Sequence, residues 1–467
     1  MNNLKKKRQR IAIMLFVLVS AINISAQTTV PIDESHFPDE GFRNYVNQHA
    51  TPDNISSITT FDIRDDEFIF NIKDLKGIEF FTSLERLYIQ NCNFKTVNLS
   101  NNLNLHRLSI NKCHELNSIS ITDHPQIDTI VIWSCNKFSV ANLSNNPKLD
   151  HVDFERNNVL QELNLSNNTN FRVLHLIYCD NLLKLDVSND NKLEAMRLWG
   201  VENLPSLDVR SNTQLKDLRI RSHQMKSLDV TNNTKLESLM IWGAPITSLD
   251  VSANQKLTKL YLDTLQLTGI DLSNNFNLKE FHCTKNNITE LNLSNNPTLS
   301  NLDCDSNQLT HLDLSNNPEL ETLDCSNNLL TSLDLQHNTK LNDVRIFMNH
   351  IKEDAMTNLI NSLPYYYGKF CVIYPEGDEG NAFTYDHYKL VKSKHWYPCY
   401  AILAWKPYAG IYDWSIAEMN DNYWKWVHIE TIEKDKQTSP IYNLNGQRLA
   451  FPPAKAPYIQ NGRIHIQ

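Results

Sequence analysis

The sequence predicts a solenoid, a fold in which short, similar units stack and share one elongated core. The first observation is a segment of the form L-[DN]-[LV]-[ST]-N-N, which recurs twelve times between Val97 and Leu333. The second is its spacing, because five steps of 22 residues are followed by six steps of 21. Units of this size cannot bury their apolar side alone and become stable by stacking. We therefore expect function to lie on a long repeated surface.

The first 26 residues have the pattern of a secretory signal peptide. Five basic residues among the first ten precede an apolar run from Ile11 to Ile22, and the small residues before Gln27 fit a cleavage site. The apolar run is too short for a membrane span, which needs about 20 residues. We expect residues 1–26 to be removed and the mature chain, without a transmembrane segment, to be secreted or held on the outer cell surface.

Charge and glycine content weigh against several function classes. The formal net charge is −9, and removal of five basic residues with segment 1–26 would make it −14. An acidic chain is a poor partner for nucleic acids, whose phosphates need a basic surface. The sequence has only 11 glycines in 467 residues and no G-x-S-x-G or H-E-x-x-H motif. We expect a protein that is not an enzyme, with no catalytic residues, no cofactor and no metal site.

Residues 27–83 are predicted to form an N-terminal cap. Phe42, Tyr45 and Val46 have helical spacing, and Pro38 suits the first position of a helix. The apolar side of this helix would pack on the first repeat, so we expect it to shield the open end of the core from solvent.

Residues 84–351 divide into thirteen units when they are aligned on their first leucine. The unit from Leu299 to Glu319 begins LxxLxLxxNxL, which is the signature of a leucine-rich repeat. The alternation Leu302-Asp303-Cys304 predicts a strand with one buried side. Thirteen such strands would form a parallel, concave sheet, and we expect the asparagines to bond one coil to the next.

The second half of each unit nearly repeats the first. Its Ser-Asn-Asn-Pro segments are poor helix formers, so we expect short strands or tight turns on the convex side. The predicted fold class is therefore a leucine-rich-repeat solenoid, an α/β-type horseshoe that is mostly β. A helical cap would precede the repeats and a small α+β or β region would follow them.

The pattern LxxLxLxxNxLxxLDLxxN resembles the nested-period bacterial leucine-rich repeats called the IRREKO class. Its 21- and 22-residue units, and the segment LKGIEFFTSLERL before them, are similar to secreted, internalin-like proteins of Bacteroidetes. The resemblance implies an extracellular or surface protein that binds partners through the concave face.

The concave face offers a candidate ligand-binding patch. Positions three, five and seven of each unit point away from the core, and every tryptophan of the repeats falls at position seven. Aromatic and arginine side chains are favoured at interfaces because they bury much area and keep a polar group. The predicted ligand-binding residues are Trp133, Trp199, Trp242, His175, Tyr261, Arg197, Arg219 and Arg221.

Two functions remain open. The first is a secreted or cell-surface binding protein, an adhesin, that recognises a host-derived protein or glycan; the arginines favour an anionic ligand. The second is a structural or envelope-associated protein whose repeats assemble with other surface components, without an aromatic ligand patch. The tryptophans would then lie flat across neighbouring strands, and Gly200 and Gly243 would make room for two of the rings.

Residues 352–435 are predicted to close the solenoid. We expect one helix from Asp354 to Leu363 and a second near Asp386–Lys392, with a solvated acidic turn at 376–381 between them. Five of the eight tryptophans fall at 396–426, which favours a small packed β-core over a second ligand site.

Cysteine usage separates the repeats from the region that follows them. Seven of the nine cysteines occupy repeat registers, where we expect free, buried thiols. Only Cys371 and Cys399 are candidates for a disulfide bond.

Residues 436–467 carry two hairpin signals, because IYNLNGQRL and YIQNGRIHI each place Asn-Gly between β-prone runs. They resemble the short C-terminal segments of secreted Bacteroidetes proteins, some of which serve in sorting to the surface.

Overall fold

The computed structural model describes residues 29–64, 72–365, 367–374, 380–406, 411–419, 441–443, 448–449, 458–460 and 463–465. The predicted signal peptide, most of the acidic turn and the two tryptophans at 424 and 426 lie outside these ranges. The chain divides into a first unit, residues 1–190, and a second unit, residues 191–467.

The first unit begins with the expected cap helix, α1, at Glu40–His49. The helix starts two residues later than predicted, because the side chain of Asp39 accepts a hydrogen bond from the Phe42 amide at 2.7 Å and caps the helix. Pro38 therefore precedes the helix. Phe42 and Tyr45 are buried, and both rings contact Phe61 of the strand that follows.

Nine strands follow among the described residues of the first unit. They are β1 Thr60–Ile63, β2 Arg86–Gln90, β3 Arg107–Asn111, β4 Ser118–Ser120, β5 Thr129–Trp133, β6 Val140–Asn142, β7 His151–Glu155, β8 Glu162–Asn164 and β9 Val173–Ile177. Strands β1, β2, β3, β5, β7 and β9 pair in that order and are all parallel. Strand β1 precedes the repeats and adds a strand that the sequence pattern did not predict. Strands β4, β6 and β8 form a second parallel sheet, as expected for short second strands.

The second unit continues the same pattern. Its strands are β10 Ala195–Trp199, β11 Asp217–Arg221, β12 Ser238–Trp242, β13 Lys259–Asp263, β14 Glu280–His282, β15 Asn301–Asp303, β16 Thr322–Asp324, β17 Asp343–Arg345, β18 Lys369–Ile373, β19 Tyr397–Lys406 and β20 Ile411–Glu418. Neighbours pair parallel in this order from β10 to β19, and β20 pairs antiparallel with β19. Tight turns replace the second strands in the repeats of this unit.

The predicted fold class is confirmed. Each of the thirteen repeats contributes one strand to the parallel sheet of its own unit: β2, β3, β5, β7 and β9 in the first unit and β10 to β17 in the second. Side chains alternate between buried and partly exposed along these strands, so one side of each sheet packs on the core and the other side lies outside it. We call that other side, formed by positions three, five and seven of the repeats, the outer face.

Buried asparagines bond successive coils. Asn233 is fully buried, and its Nδ2 donates to the carbonyls of Val209 and Asn212 in the preceding coil, both at 2.9 Å. Position nine carries a second series, in which Asn307 Nδ2 donates to the Cys283 carbonyl at 2.8 Å. The Oδ1 atom of Asn307 accepts from the Ile288 amide at 3.0 Å. Both series of asparagines form hydrogen bonds with backbone carbonyls or amides that lie in the turns, where no neighbouring strand supplies a partner.

Two helices close the repeats. They are α2 at Glu353–Ser362 and α3 at Tyr385–Ser393, each within one residue of the predicted limits. Trp396 is buried, and its Nε1 donates to the Pro364 carbonyl at 2.7 Å, so this tryptophan belongs to the core as expected. No helix in the described ranges is long and apolar enough to cross a membrane.

Short strands also occur in the C-terminal tail. They are β21 Ile441–Asn443, β22 Arg448–Leu449, β23 Tyr458–Gln460 and β24 Arg463–His465. Strands β21 and β22 pair antiparallel, and so do β23 and β24, on either side of the two Asn-Gly dipeptides.

The suggested disulfide between Cys371 and Cys399 is not formed, and all nine cysteines are free and buried. The two residues face each other in the register of β18 and β19, inside an apolar cluster with Phe347 and Ala401. Burial raises the pKa of the Cys371 thiol, and Cys399 Sγ donates to the Tyr397 carbonyl at 3.2 Å. The pair therefore extends the series of buried thiols in the repeats.

Candidate ligand-binding surface

The three tryptophans of the repeats end their strands on the outer face, as the register predicted. Trp133, at the end of β5 in the first unit, is 39% exposed. Trp199 ends β10 and Trp242 ends β12 in the second unit, and both are partly buried. The three tryptophans thus all lie at position seven of their repeats, and Trp133 is exposed whereas Trp199 and Trp242 are partly buried.

Trp199 and Trp242 are packed against each other. Arg221 of β11 lies between them in the register, paired with Trp199 on one side and with Trp242 on the other. The two ring centroids are nevertheless only 5.4 Å apart, at an interplanar angle of 49°. The guanidinium carbon of Arg221 lies 4.9 Å from the Trp242 ring centroid, within the range of a cation–π contact. We call Trp199, Arg221 and Trp242 the aromatic stack.

The carboxylate of Glu202 lies beside the aromatic stack. Arg221 Nε is 3.2 Å from one Glu202 oxygen, and His223 Nδ1 is 2.8 Å from the other. Trp242 Nε1 donates to the Thr264 hydroxyl at 3.1 Å, which fixes the orientation of its ring. The stack is thus held in place by a carboxylate and a hydroxyl from outside its own three strands.

The neighbouring predicted residues lie on the same outer face of the second unit. Arg219 forms an ion pair with Asp217 at 2.9 Å, whereas Arg197 is exposed. Tyr261 donates its hydroxyl to Glu280, and burial, reinforced by this bond, raises the pKa of the phenol. Two of the three predicted arginines therefore have a carboxylate partner, so the patch is less cationic than its sequence suggests.

Gly200 and Gly243, which directly follow Trp199 and Trp242, lie where the backbone turns out of the strand. Both have a positive φ, 75° and 74°, and both occupy position eight, where most units adopt the left-handed conformation, Ser306 with φ 57° among them. A Cβ atom on Gly243 would lie 3.0 Å from Cδ2 of His223. The backbone turn and the closeness of His223 explain the glycine at 243.

Towards its C-terminal end, the outer face carries aspartates and then side chains that are buried. Burial, reinforced by the negative charge of Asp324, raises the pKa of Asp303 and brings that of Asp305 to about 7. Beyond them, Phe347, Cys371 and Cys399 are almost completely buried. At Phe347, position seven of the last repeat therefore has no exposed side chain.

His175, the remaining predicted residue, lies on β9 of the first unit beside two residues that the sequence analysis did not select. Its ring centroid is 5.4 Å from that of His151, and Asp153 is its partner in the register of β7 and β9. The sequence signal for this group is a histidine at position three, His151, beside Asp153 and His175 at position five of adjacent repeats.

No family model and no curated protein sequence matches this chain. Among solved structures, the functional domain of InlJ from Listeria monocytogenes, which includes a cysteine ladder, is 28% identical over 74% of this chain and 82% of the other, with a TM-score of 0.46. The internalin InlF from Listeria monocytogenes is 20% identical over 72% and 96%, with a TM-score of 0.43. A leucine-rich-repeat protein of Leptospira interrogans is 15% identical over 72% and 95%, also with a TM-score of 0.43.

Proposed function

We propose that this protein is a secreted or cell-surface binding protein, an adhesin, whose outer face holds a host-derived protein or glycan ligand. The observation that carries the proposal is the aromatic stack of Trp199, Arg221 and Trp242. These side chains lie on the side of the sheet that does not pack on the repeat core.

The stack has the properties of a binding hot spot. The two rings are already packed together, a hydrogen bond holds the Trp242 ring and an ion pair holds Arg221, so a ligand would order few additional side chains. Tryptophan faces can stack on sugar rings or on apolar side chains of a protein, and Arg197 offers hydrogen-bond donors nearby. Because Glu202 offsets the charge of Arg221, we expect recognition by stacking and hydrogen bonds more than by net charge.

The proposed surface is limited to the strands β10 to β13. Asp303 and Asp305 follow these strands, and beyond them Phe347 and Cys371 are buried. A structural protein whose repeats only assemble with other surface components would not need a half-buried pair of tryptophans on this face. The stack therefore favours ligand binding over a purely structural function.

The test is a binding screen of the full chain against an array of glycans and extracellular-matrix proteins. The double variant Trp199→Ala/Trp242→Ala should lose the binding, with an affinity at least about 30-fold lower, because central aromatic residues of an interface contribute about 2 kcal/mol or more. Phe276→Ala is the matched control, because Phe276 is an exposed aromatic residue of the second unit outside its strands.

Trp133→Ala would show separately whether the first unit contributes to the same binding. Binding that survives the double variant with unchanged affinity, while the fold is intact, would contradict the proposal. So would equal losses in the double variant and in Phe276→Ala.

A further inference from the structure

Two histidines and one aspartate converge on the outer face of the first unit. His151 and Asp153 are two residues apart on β7, so their side chains point to the same side of the sheet. His175 is the partner of Asp153 on the adjacent strand β9, and paired strands are about 4.8 Å apart. The backbone therefore brings the three side chains within one strand spacing of each other.

The ligand atoms of the three side chains are close enough to share one ion. One nitrogen of each imidazole and one oxygen of the carboxylate all lie within 4.8 Å of one another. The two imidazole planes are nearly perpendicular, at 79°. In the part of the chain that the structure describes, this is the one group of three histidine, cysteine, aspartate or glutamate residues with such spacing.

The Asp153 carboxylate supplies a second, independent observation. Its Oδ1 atom is inaccessible to solvent and has no hydrogen-bond partner among the described residues. Two arginines of the same repeats have other carboxylate partners, since Arg172 pairs with Asp150 at 2.5 Å and Arg156 lies 3.6 Å from Glu155. A buried carboxylate oxygen without a partner is costly, and a bound cation would compensate it.

We propose that His151, Asp153 and His175 bind a divalent transition-metal ion such as Zn²⁺. Two imidazole nitrogens and one carboxylate oxygen suit zinc, whereas Ca²⁺ and Mg²⁺ prefer sets of oxygen ligands. Ligands at about 2.1 Å from a tetrahedral ion are about 3.4 Å apart, so the side chains need to approach by small rotations only. Three protein ligands leave the fourth position free for water or for a donor atom of a partner.

The metal would join β7 to β9 without being required for the fold. The strand pairs β2–β3 and β3–β5 of the same unit form a parallel register without such a cluster among the described residues. The site lies in the first unit and includes no residue of the aromatic stack. Its test is therefore independent of the proposed function.

The test measures Zn²⁺ binding to the full chain, after removal of metal with a chelator, by isothermal titration calorimetry. We expect one Zn²⁺ per chain and a higher melting temperature with metal. Co²⁺ in its place should give the visible absorption bands of a tetrahedral ion with nitrogen and oxygen ligands. Affinity should fall in acid, because protonated imidazole cannot bind the metal.

The variants His175→Ala and Asp153→Asn should each weaken binding by about 100-fold or more, since loss of even an outer-shell partner costs about 10- to 100-fold. Asp153→Asn keeps the shape of the side chain and controls for misfolding. His106→Ala is the matched control, because His106 lies 3.5 Å from Asp128 in the same unit but has no third ligand. Absence of stoichiometric Zn²⁺ binding by the wild-type chain, or equal affinity of wild type and His175→Ala, would overturn the proposal.

Discussion

Asp305 shows how the outer face places a carboxylate in an unfavourable environment. The residue is only 6% exposed, and burial together with the charge of Asp324 raises its pKa from 3.8 to about 7. The hydroxyls of Ser306 and Ser326 donate to its oxygens, and the charge of Lys285 adds a smaller attraction. These interactions lower the pKa by less than burial raises it. The ionised carboxylate is therefore less stable in the folded chain than in the unfolded chain.

The sign of the pH dependence follows from this raised pKa. Below pH 3.8, Asp305 is protonated in both states and its contribution to stability is fully present; it is lost as the pH rises through about 7. We expect Asp305→Asn to raise the free energy of unfolding at pH 8 by on the order of 2 kcal/mol, and to change it little at pH 4. Urea unfolding at the two pH values measures the difference.

Asp313 provides a control of opposite sign. It is exposed, and hydrogen bonds from the amide and hydroxyl of Ser315 lower its pKa. Asp313→Asn should therefore reduce stability slightly at pH 8 and not at pH 3. A stabilising effect of both substitutions at pH 8 would contradict the assignment of the two environments.

At the scale of the elements, each coil depends on the asparagine of the next. Asn317 is fully buried, and its Nδ2 donates to the carbonyls of Leu293 and Asn296 at 3.1 and 2.9 Å. Each of the two carbonyls keeps one backbone donor, so the substitution Asn317→Ala leaves neither of them without a partner. It removes two hydrogen bonds of about 1 kcal/mol each and should therefore lower the free energy of unfolding by about 2 kcal/mol. Asn316→Ala changes the exposed neighbour and should have an effect near zero; equal midpoints of urea unfolding in the two variants would contradict this.

The cap helix depends on one carboxylate with two functions. Asp39 accepts from the Phe42 amide at the start of α1 and from the Lys73 amide at 3.0 Å. Asp39→Ala should lower stability by about 1 to 2 kcal/mol, whereas Asp39→Asn, which keeps one acceptor oxygen, should lose less. Thermal unfolding measures the loss, and Gln48→Ala, on the exposed side of α1, is the control that should remain unchanged.

The elements were predicted well where periodicity determines them. The thirteen strands follow from the alternation of buried leucines, and α2 and α3 follow from helical spacing between a proline and a turn. The second strands β4, β6 and β8 lie in repeats with 22-residue steps. The Ser-Asn-Asn segments have the same composition in both kinds of repeat, so the sequence could not distinguish these short strands from turns. Strand β1 was missed because it precedes the repeats and has no counterpart in their pattern.

At the scale of the whole molecule, the sequence located the candidate surface but not its chemistry. Position seven correctly placed Trp199 and Trp242 on the outer face. The partner of Arg221 could not be predicted, because Glu202 lies in the turn after β10 and not at one of the strand positions that were aligned between repeats. The pairing of His151 with His175 also needed the register of two neighbouring strands at different repeat positions.

The asparagine bonds have a consequence for how such a chain can change its length. In the second unit, Asn254, Asn275 and Asn296 each donate to carbonyls 21 and 24 residues earlier. Removal or duplication of one whole coil would bring equivalent donors and acceptors together again, whereas a change of a few residues would break every bond at that point. Recombination between repeats in the gene can therefore lengthen or shorten this array and leave the tryptophan-bearing coils unaltered.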